Sequence, residues 1–306
     1  MNLFRRNKTD ICQAVPFIYA YARNSKRPAA YKRKYRCVAR HLADFEKERE
    51  ITILSNSFSA AVCEDFLFFL KDKTLKNNTI RNYLHYTFFM FRRMGKAGFS
   101  VDFSFEETEI KKEHSRAIYL NINEIRAIYN LKIKETNSRK IRDLFVIGCY
   151  TGLRFSDLSQ LTNRNIIGNK IVTKTRKTGE VVEIPLHPLV SEIIRYHNGI
   201  PACDCSLFNF NKCIKTVCKR ANITDKILIE RTKGHKIERF TTPKYALVSS
   251  HTARRSFATN AYLSGILPAK IMLITGHKSE QTFFEYIRIG KAENARELAE
   301  HAFFKD

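Results

Sequence analysis

A polar stretch within residues 99–118, "FSVDFSFEETEIKKEHSRA", interrupts the helical periodicity of this chain. The stretch mixes both signs of charge and sustains no regular apolar repeat, which is typical of a connection between folding units. The chain has 306 residues, too many for one ordinary hydrophobic core. The sequence therefore predicts two domains, residues 1–98 and 119–306, joined by a linker at 99–118.

Residues 1–98 predict a small all-helical domain. Apolar side chains recur at helical spacing in three segments, 28–49, 59–71 and 77–95. The first segment has a basic outer face, and the third begins at an "NNT" cap. Fewer than about 20 residues precede the helical domain, too few for another independently folding unit.

Residues 119–306 predict helices combined with a small β component. The segment "KIVTKTRKTGEVVEIPL" has β-branched runs on both sides of a Thr178-Gly179 turn, which predicts a β-hairpin over 170–186. The segment 224–249 is basic and irregular, with strands as an alternative. Helical spacing describes the remaining segments, 121–131, 138–150, 154–161, 188–197, 209–221 and 251 to the end. The expected fold class is mainly α with a small β component.

The net charge points to a polyanionic partner. The chain has 54 basic and 30 acidic residues, a formal charge of +24 and an isoelectric point near 9.8. Its apolar runs, such as "FLFFL" at 66–70, are far shorter than the roughly 20 residues that span a bilayer. The N-terminus "MNLFRRNKTD" lacks the apolar core of a secretion signal. These features favour nucleic acid over a membrane, and a cytoplasmic, nucleoid-associated bacterial protein.

Eight cysteines in a chain without an export signal are expected to be reduced thiols. Four of them lie close in sequence, at Cys203, Cys205, Cys213 and Cys218, and His235 could add a further metal ligand. Their C-x-C-x7-C-x4-C spacing lacks the paired C-x2-C knuckles of tetrahedral zinc sites. The sequence thus favours buried or surface thiols and predicts no metal.

Two segments of the second domain place cations where a phosphate could bind. Arg154 in "TGLRFSDLSQL" follows Gly152, whose turn would end one helix and direct the arginine into a cleft; a solvated surface arginine is the alternative. In "HTARRSFATN", His251 and Arg254 are spaced i, i+3 on one helical face, near an N-terminus that favours anions. Arg255 is expected to contact backbone or solvent.

Tyr286, in "TGHKSEQTFFEYIRI", could be either a core aromatic or a nucleophile. Phe283, Phe284 and Ile287 accompany it at helical spacing, so core packing is the default for all of them. His277 lies nine residues earlier, two and a half turns of an unbroken helix, so a loop must separate the two residues if they share a site. The segment alone does not decide between the two roles.

Taken in order, the three segments resemble the signature boxes of the tyrosine recombinase (phage integrase) family. "TGLR", "HTARRSFATN" and "TGHKSEQTFFEYI" look like its boxes, and residues 20–97 look like its SAM-like core-binding domain. The resemblance implies an N-terminal SAM-like helical bundle and a C-terminal α+β catalytic domain. It also implies a site-specific recombinase that cuts and rejoins DNA through a 3′-phosphotyrosyl intermediate, with no metal, ATP or other cofactor.

The resemblance implies a role for each residue of the boxes. Tyr286 would attack the DNA phosphate as the nucleophile. Arg154 and Arg254 would hold the non-bridging oxygens bidentately, a geometry that guanidinium suits better than ammonium. His251 would accept the tyrosine proton, because histidine titrates close to working pH, and His277 would donate a hydrogen bond to the phosphate.

Two more residues enter through the resemblance. The family uses a hairpin lysine as general acid toward the leaving oxygen, and Lys177 occupies the corresponding place at the turn, with Lys174 and Lys170 as rivals and a solvated lysine as the alternative. Asp157, one turn after Arg154, stands where the family usually has glutamate. It is expected to orient the arginine.

The predicted partner is double-stranded DNA, which the two domains would encircle. Phosphate contacts would provide most of the affinity. The basic positions expected to contact DNA are Arg33, Arg36, Arg40, Lys76, Arg81, Arg92 and Arg93.

The C-terminal tail, "NARELAEHAFFKD", has an apolar stripe at helical spacing. In the family such a tail helix packs on a neighbouring protomer, which implies a homo-oligomer, a tetramer on paired sites; packing on its own protomer is the alternative. The short segment before the helical domain favours an invertase, a resolvase or a small mobile-element integrase. The alternative function is a catalytically silent DNA-binding regulator derived from a recombinase.

Overall fold

The computed structural model describes residues 10–113 and 117–287, together with 295, 299 and 302–304. Backbone contacts divide the chain into two compact units. The first unit comprises Met1–Ser115 with Ile229–Phe240, and the second comprises Arg116–Leu228 with Thr241–Asp306. The fold is mainly helical with a few short strands, which confirms the predicted class. None of the described helices is both long and apolar enough to cross a membrane.

Four helices form the first unit around a phenylalanine-rich core. They are α1 (Ala14–Asn24), α2 (Ala29–Arg49), α3 (Ala60–Asp72) and α4 (Asn77–Lys96). The last three match the predicted segments, but the sequence did not reveal α1. Its N-cap, Gln13, makes no side-chain cap, and Pro16 lies in its first turn, where a missing N–H costs nothing because that group has no intrahelical partner.

Part of the predicted linker is packed rather than extended. Phe105, within residues 99–118, is fully buried and contacts the rings of Phe58 and Phe91. Farther along, Asn78 and Glu113 exchange two hydrogen bonds of 2.8 and 3.0 Å between side chain and backbone. Residues up to 113 therefore belong to the hydrophobic and polar packing of the first unit.

The second unit is built mostly from helices and contains a small antiparallel sheet. Its helices are α5 (Ile122–Asn130), α6 (Thr136–Thr151), α7 (Phe155–Leu158), α8 (Pro188–Tyr196), α9 (Leu207–Arg220), α10 (Lys244–Leu247), α11 (Ser250–Leu263), α12 (Pro268–Thr275) and α13 (Glu280–Tyr286). Its sheet strands are β1 (Ile166–Ile167), β2 (Lys170–Lys174) and β3 (Val181–Pro185), in the order β1-β2-β3. The hairpin predicted over 170–186 is thus confirmed.

Helix α6 is the centre of the second unit. A run along this helix from Ile141 to Cys149 is buried on all sides, because other helices cover it. Gly148 allows α11 to approach closely, since a Cβ there would lie 3.2 Å from Ala253. The contact between α6 and α11 brings the first two predicted segments together.

A second hairpin occupies most of the basic segment 224–249, where strands were the alternative prediction. β4 (Lys226–Lys233) and β5 (Lys236–Pro243) meet at Gly234. Residues 229–240 of this hairpin pack within the first unit, where Gly234 N–H donates to the Leu75 carbonyl (2.9 Å) and His235 contacts Asp72 (3.0 Å). A Cβ at Gly234 would lie 2.7 Å from the Lys71 carbonyl, so the tip requires glycine.

The predicted C-terminal tail helix lies outside the described residues apart from 295, 299 and 302–304. Of these, Phe303 and Phe304 are exposed.

Candidate active site

Arg154 follows a sharp break between α6 and α7. Gly152 ends α6 with left-handed backbone angles (φ 66°, ψ 9°). A Cβ at this position would lie 2.4 Å from the ring of Phe257, so glycine is required on both counts. The half-buried Arg154 side chain makes no hydrogen bond or ion pair with the part of the chain that the structure describes. Its guanidinium is therefore open to an anion.

The first turn of α11 carries His251 and Arg254 on one face, as their spacing predicts. Ser249 and Thr252 form a capping box that fixes where the helix begins. The N–H groups of this turn and the two basic side chains therefore lie at the same helix end.

Arg254 connects the three predicted segments. It is 2% exposed, and it donates from Nη1 to the Gly152 carbonyl (2.8 Å) and from Nη2 to the Thr275 carbonyl. Gly152 belongs to the first segment and Thr275 to the third. A buried guanidinium with two backbone acceptors is held rigidly, while its remaining N–H groups stay available.

A loop separates His277 from Tyr286, as their spacing requires. α12 ends at Thr275 with Gly276 in the left-handed region (φ 63°), and α13 begins after Ser279 and ends at Tyr286. Within this turn the Thr275 hydroxyl oxygen lies 2.8 Å from Nδ1 of His277.

Tyr286 is anchored by its neighbours on α13. Phe283 is fully buried and Ile287 is 7% exposed, in a small cluster against α11 and α12. Phe284, by contrast, is 47% exposed, so its expected place in the core is wrong. Helix α13 has one buried face, and Phe284 lies off it.

The Tyr286 ring is surrounded by histidine and arginine side chains. Ring centroids of His251 and His277 lie 5.2 and 5.0 Å from it. The Arg255 guanidinium lies 5.0 Å above it, and the Tyr286 hydroxyl donates to the His251 carbonyl at 3.4 Å. The tyrosine is therefore at the point where all three segments meet.

The positive charges of the site lower the pKa values of its basic groups. Desolvation by the surrounding protein, followed by the charges of nearby arginines, lowers the pKa of His251 to about 4, although the residue has a large solvent-accessible area. Desolvation, then Arg254 and Arg154, lower the pKa of His277 to about 4. Burial and Arg154 lower the pKa of Arg254 to about 10. At neutral pH both histidines are neutral and the arginine is charged.

The pKa of Tyr286 is raised by burial, while Arg254, Arg255 and Arg154 act in the opposite direction. Without a ligand the phenol is therefore protonated at neutral pH. Deprotonation of the phenol requires a base or additional positive charge close to the Tyr286 oxygen.

Acid is expected to destabilise the protein through His277. The folded-state pKa, about 4, lies below the ordinary value of 6.5, so the unfolded state binds the additional proton between these values. The stabilisation from neutral His277 is complete above pH 6.5 and is lost as the pH falls toward 4. We expect a shallower loss of Tm across this window in His277→Gln than in the wild type. Identical slopes of Tm against pH in His277→Gln and the wild type would contradict the assignment. The control is His85→Gln, which replaces an exposed histidine of the first unit and should keep the wild-type slope.

Lys177 lies at the exposed turn between β2 and β3. This turn is closed by Gly179, whose N–H donates to the Thr175 carbonyl (2.8 Å) and whose φ is 74°. Lys177 is near enough to His251 and His277 to contribute to the lowering of both pKa values. The turn therefore brings a flexible cation to the edge of the site.

Asp157 is 3% exposed and contacts this hairpin turn. Its Oδ1 accepts from the Arg176 backbone N–H (3.0 Å) and from the Ser156 hydroxyl (3.3 Å). Within the described residues no hydrogen bond joins it to Arg154. Its observed contact positions the lysine-bearing turn.

The predicted DNA-contacting residues all lie in the first unit. Arg33, Arg36 and Arg40 are exposed at i, i+3 and i+7 on α2, which places them on one face. Lys76 and Arg81 are exposed as well. Arg92 pairs with Glu106 (2.7 Å), and Arg93 lies 5.4 Å from the Tyr21 ring. Contact of these residues with DNA stays a prediction.

The cysteine-rich segment contains one close pair of thiols. The sulfurs of Cys203 and Cys205 are 3.4 Å apart, and Cys218 is buried in the core with its pKa raised by burial to about 12. His235 is paired with Asp72. The described residues contain no cluster of three ligands suited to a metal ion.

Sequence reasoning missed two residues of the site. Arg255 donates to the Ile118 carbonyl (3.1 Å), the kind of backbone contact that was predicted, but its position above the Tyr286 ring was not foreseen. Thr275 contacts His277 through its side chain and Arg254 through its carbonyl. The only sequence signal for Thr275 is its place two residues before His277.

Comparison with known proteins identifies the family. The profile of the phage integrase family matches residues 119–293, and that of the phage integrase SAM-like domain matches residues 15–98. A search of curated protein sequences gave no match.

Several solved structures share the fold. The Tn1549 transposon integrase in complex with circular intermediate DNA is 17% identical and covers 94% of this chain and 99% of its own, with a TM-score of 0.64. A lambda integrase dimer bound to a COC′ core site is 14% identical and covers 89% of this chain and 94% of its own (TM-score 0.66). The XerH site-specific recombinase bound to a palindromic difH substrate is 17% identical and covers 89% and 80% (TM-score 0.65). The phage integrase family profile covers more than half of this chain. This chain therefore belongs to the phage integrase family of tyrosine recombinases.

Proposed function

We propose that this protein is a site-specific DNA recombinase that cuts and rejoins DNA through a 3′-phosphotyrosyl intermediate. The observation that carries the proposal is the convergence of Arg154, His251, Arg254 and His277 on Tyr286, from three segments far apart in sequence. A phosphate in this site would meet two guanidinium groups and two neutral imidazoles. The guanidinium groups are suited to the charge of a pentacoordinate transition state, and the neutral imidazoles can accept a proton.

The proposed reaction conserves the energy of the phosphodiester bond. The Tyr286 oxygen attacks phosphorus, its proton passes to a base of the site, and the 5′ oxygen leaves after accepting a proton from Lys177. The products are a 3′-phosphotyrosyl bond and a free 5′-hydroxyl. Attack by the 5′-hydroxyl of another strand reverses the step, releases Tyr286 and joins the new strands without ATP.

A DNA-binding regulator without catalysis is the alternative. Incubation of the protein with a duplex nicked close to its cognate cleavage position should trap a covalent adduct, because the short strand carrying the 5′-hydroxyl diffuses away. The site can be sought among inverted repeats that flank the gene and occur in two orientations. Specific binding without an adduct on any nicked duplex would favour the regulator.

Lys177 is proposed as the general acid, and a sulfur-substituted substrate tests this role. Lys177→Ala should lower the cleavage rate by about 100-fold, the usual scale for general acid catalysis. A 5′-bridging phosphorothiolate should restore the rate, since a thiolate leaves without protonation. The matched control is Lys174→Ala, which replaces an exposed lysine at the end of β2. It should change the cleavage rate by less than about threefold. A larger loss in Lys174→Ala, or no restoration by sulfur, would reject Lys177.

The finer organisation is part of the same proposal. Residues 1–98 would act as the core-binding domain and 119–306 as the catalytic domain, together encircling duplex DNA, in a cytoplasmic, nucleoid-associated protein. Matches of the SAM-like and integrase profiles to 15–98 and 119–293 support this division. A tetramer on paired sites, with the C-terminal tail exchanged between protomers, is proposed from the family. Integration, inversion and excision are the reactions such an assembly could perform.

A further inference from the structure

The contacts of Thr275 bear on the protonation of His277. Thr275 is fully buried at the end of α12. Its hydroxyl donates to the Ile271 carbonyl at 2.9 Å, and its oxygen lies 2.8 Å from Nδ1 of His277. Both distances are those of ordinary hydrogen bonds.

A threonine hydroxyl has a single hydrogen, so it can donate only once. If that hydrogen points to Ile271, the contact with His277 is a hydrogen bond only when Nδ1 carries a proton and donates to the Thr275 oxygen. If Nδ1 is bare, the hydroxyl can satisfy Nδ1 or Ile271, and one of the two bonds is lost. Loss of one buried hydrogen bond disfavours the second arrangement by about fivefold or more.

We infer that Thr275 is a positioning residue that fixes neutral His277 as the Nδ1–H tautomer and leaves Nε2 bare. The inference rests on the proposed function for its consequence in catalysis. Since Nδ1 is bonded to Thr275, Nε2 is the one nitrogen of this ring free to act on a ligand. In the DNA-free protein this nitrogen can accept a hydrogen bond but cannot donate one.

This assignment changes the role expected of His277. A hydrogen bond from Nε2 to the phosphate requires the imidazolium form, with protons on both nitrogens. That form is sparse at neutral pH in the free protein, because the pKa of His277 is lowered to about 4 by burial and by the arginines. Nε2 must therefore take up one proton, from Tyr286 or from solvent, before it can donate to the phosphate. His277 thus becomes a second proton acceptor beside His251.

Nitrogen NMR of histidine-labelled protein tests the inference without DNA. Protonated and bare ring nitrogens have well-separated ¹⁵N shifts, and His277→Gln identifies the His277 signals among nine histidines. At pH 7 the wild type and Thr275→Ser should both show a protonated Nδ1 and a bare Nε2. Thr275→Val, which keeps the shape but removes the hydroxyl, should shift His277 toward the Nε2–H tautomer. A bare Nδ1 in the wild type, or an unchanged spectrum in Thr275→Val, would overturn the inference.

Cleavage of a nicked duplex gives the functional readout. Thr275→Val should form the adduct about tenfold more slowly, with DNA affinity unchanged, whereas Thr275→Ser should stay within about twofold of the wild type. Equal slowing in Thr275→Ser and Thr275→Val would indicate a packing effect and would overturn the positioning role. The predicted tautomer in a wild-type protein that forms no adduct would contradict the proposed function alone.

Discussion

Replacement of Tyr286 by phenylalanine should abolish the covalent protein–DNA adduct while the protein still binds DNA. The loss should be at least about 10⁴-fold, the scale found when a catalytic nucleophile is removed, because phenylalanine has no oxygen to form the ester. Folding should be little affected. Within the described residues the Tyr286 hydroxyl makes one long hydrogen bond, to the His251 carbonyl (3.4 Å), and burial of the helix depends mainly on Phe283. Adduct formation on a nicked duplex and a binding isotherm at the same salt concentration measure the two properties.

Tyr262→Phe is the matched control for this experiment. Tyr262 is half-buried in the same small cluster of α11, α12 and α13, and its ring contacts Phe284. Tyr262→Phe removes one hydroxyl from the cluster, as Tyr286→Phe does, but Tyr262 is not part of the proposed site. Adduct formation in this variant should therefore remain within about twofold of the wild type. An adduct that persists in Tyr286→Phe, or that disappears in Tyr262→Phe, would contradict the nucleophile assignment.

The second large effect is expected from Arg154→Lys, with a loss of about 10²- to 10³-fold in cleavage. Arg154 makes no hydrogen bond or ion pair within the described residues, so the exchange breaks no polar contact among them. Lysine keeps the charge but loses the planar pair of donors that fits two phosphate oxygens. A loss in rate with little change in DNA affinity would show that bidentate geometry matters in the transition state. Single-turnover cleavage at saturating protein separates the two.

Arg164→Lys provides the control for Arg154→Lys. Arg164 is an exposed arginine of the second unit, ten residues farther along the chain, and is not part of the proposed site. The Arg164→Lys variant should cleave DNA at the wild-type rate. If Arg154→Lys also retains its rate, a point charge would be sufficient at this position and the bidentate role would be rejected.

Arg254 is less suited to such a test, because it has a structural role as well. Its donors to the Gly152 and Thr275 carbonyls hold two segments together, and it is almost completely buried. Lysine there would leave at least one of these carbonyls without its partner, so a loss of activity could arise from misfolding.

Local periodicity predicted much of the fold. The three segments that became α2, α3 and α4 were recognised from their apolar repeats, and the hairpin over 170–186 from its turn. Helix α1 was missed because nothing in its sequence marks its start. The hairpin of β4 and β5 was ambiguous because its tip is stabilised by Leu75 and Asp72, which lie far away in sequence. Contacts of that kind leave no local pattern.

For the site, the order of residues along the chain is enough to identify the side chains and those that share a helix face. His251 and Arg254 are one turn apart on α11, and helical geometry alone puts them together. The individual partners depend on how the folded segments pack: Asp157 bonds to the Arg176 amide, and Thr275 bonds to His277. The physical reason is range. Helical spacing acts over one or two turns, whereas the partner of a buried polar group depends on how distant segments pack, within a few tenths of an ångström.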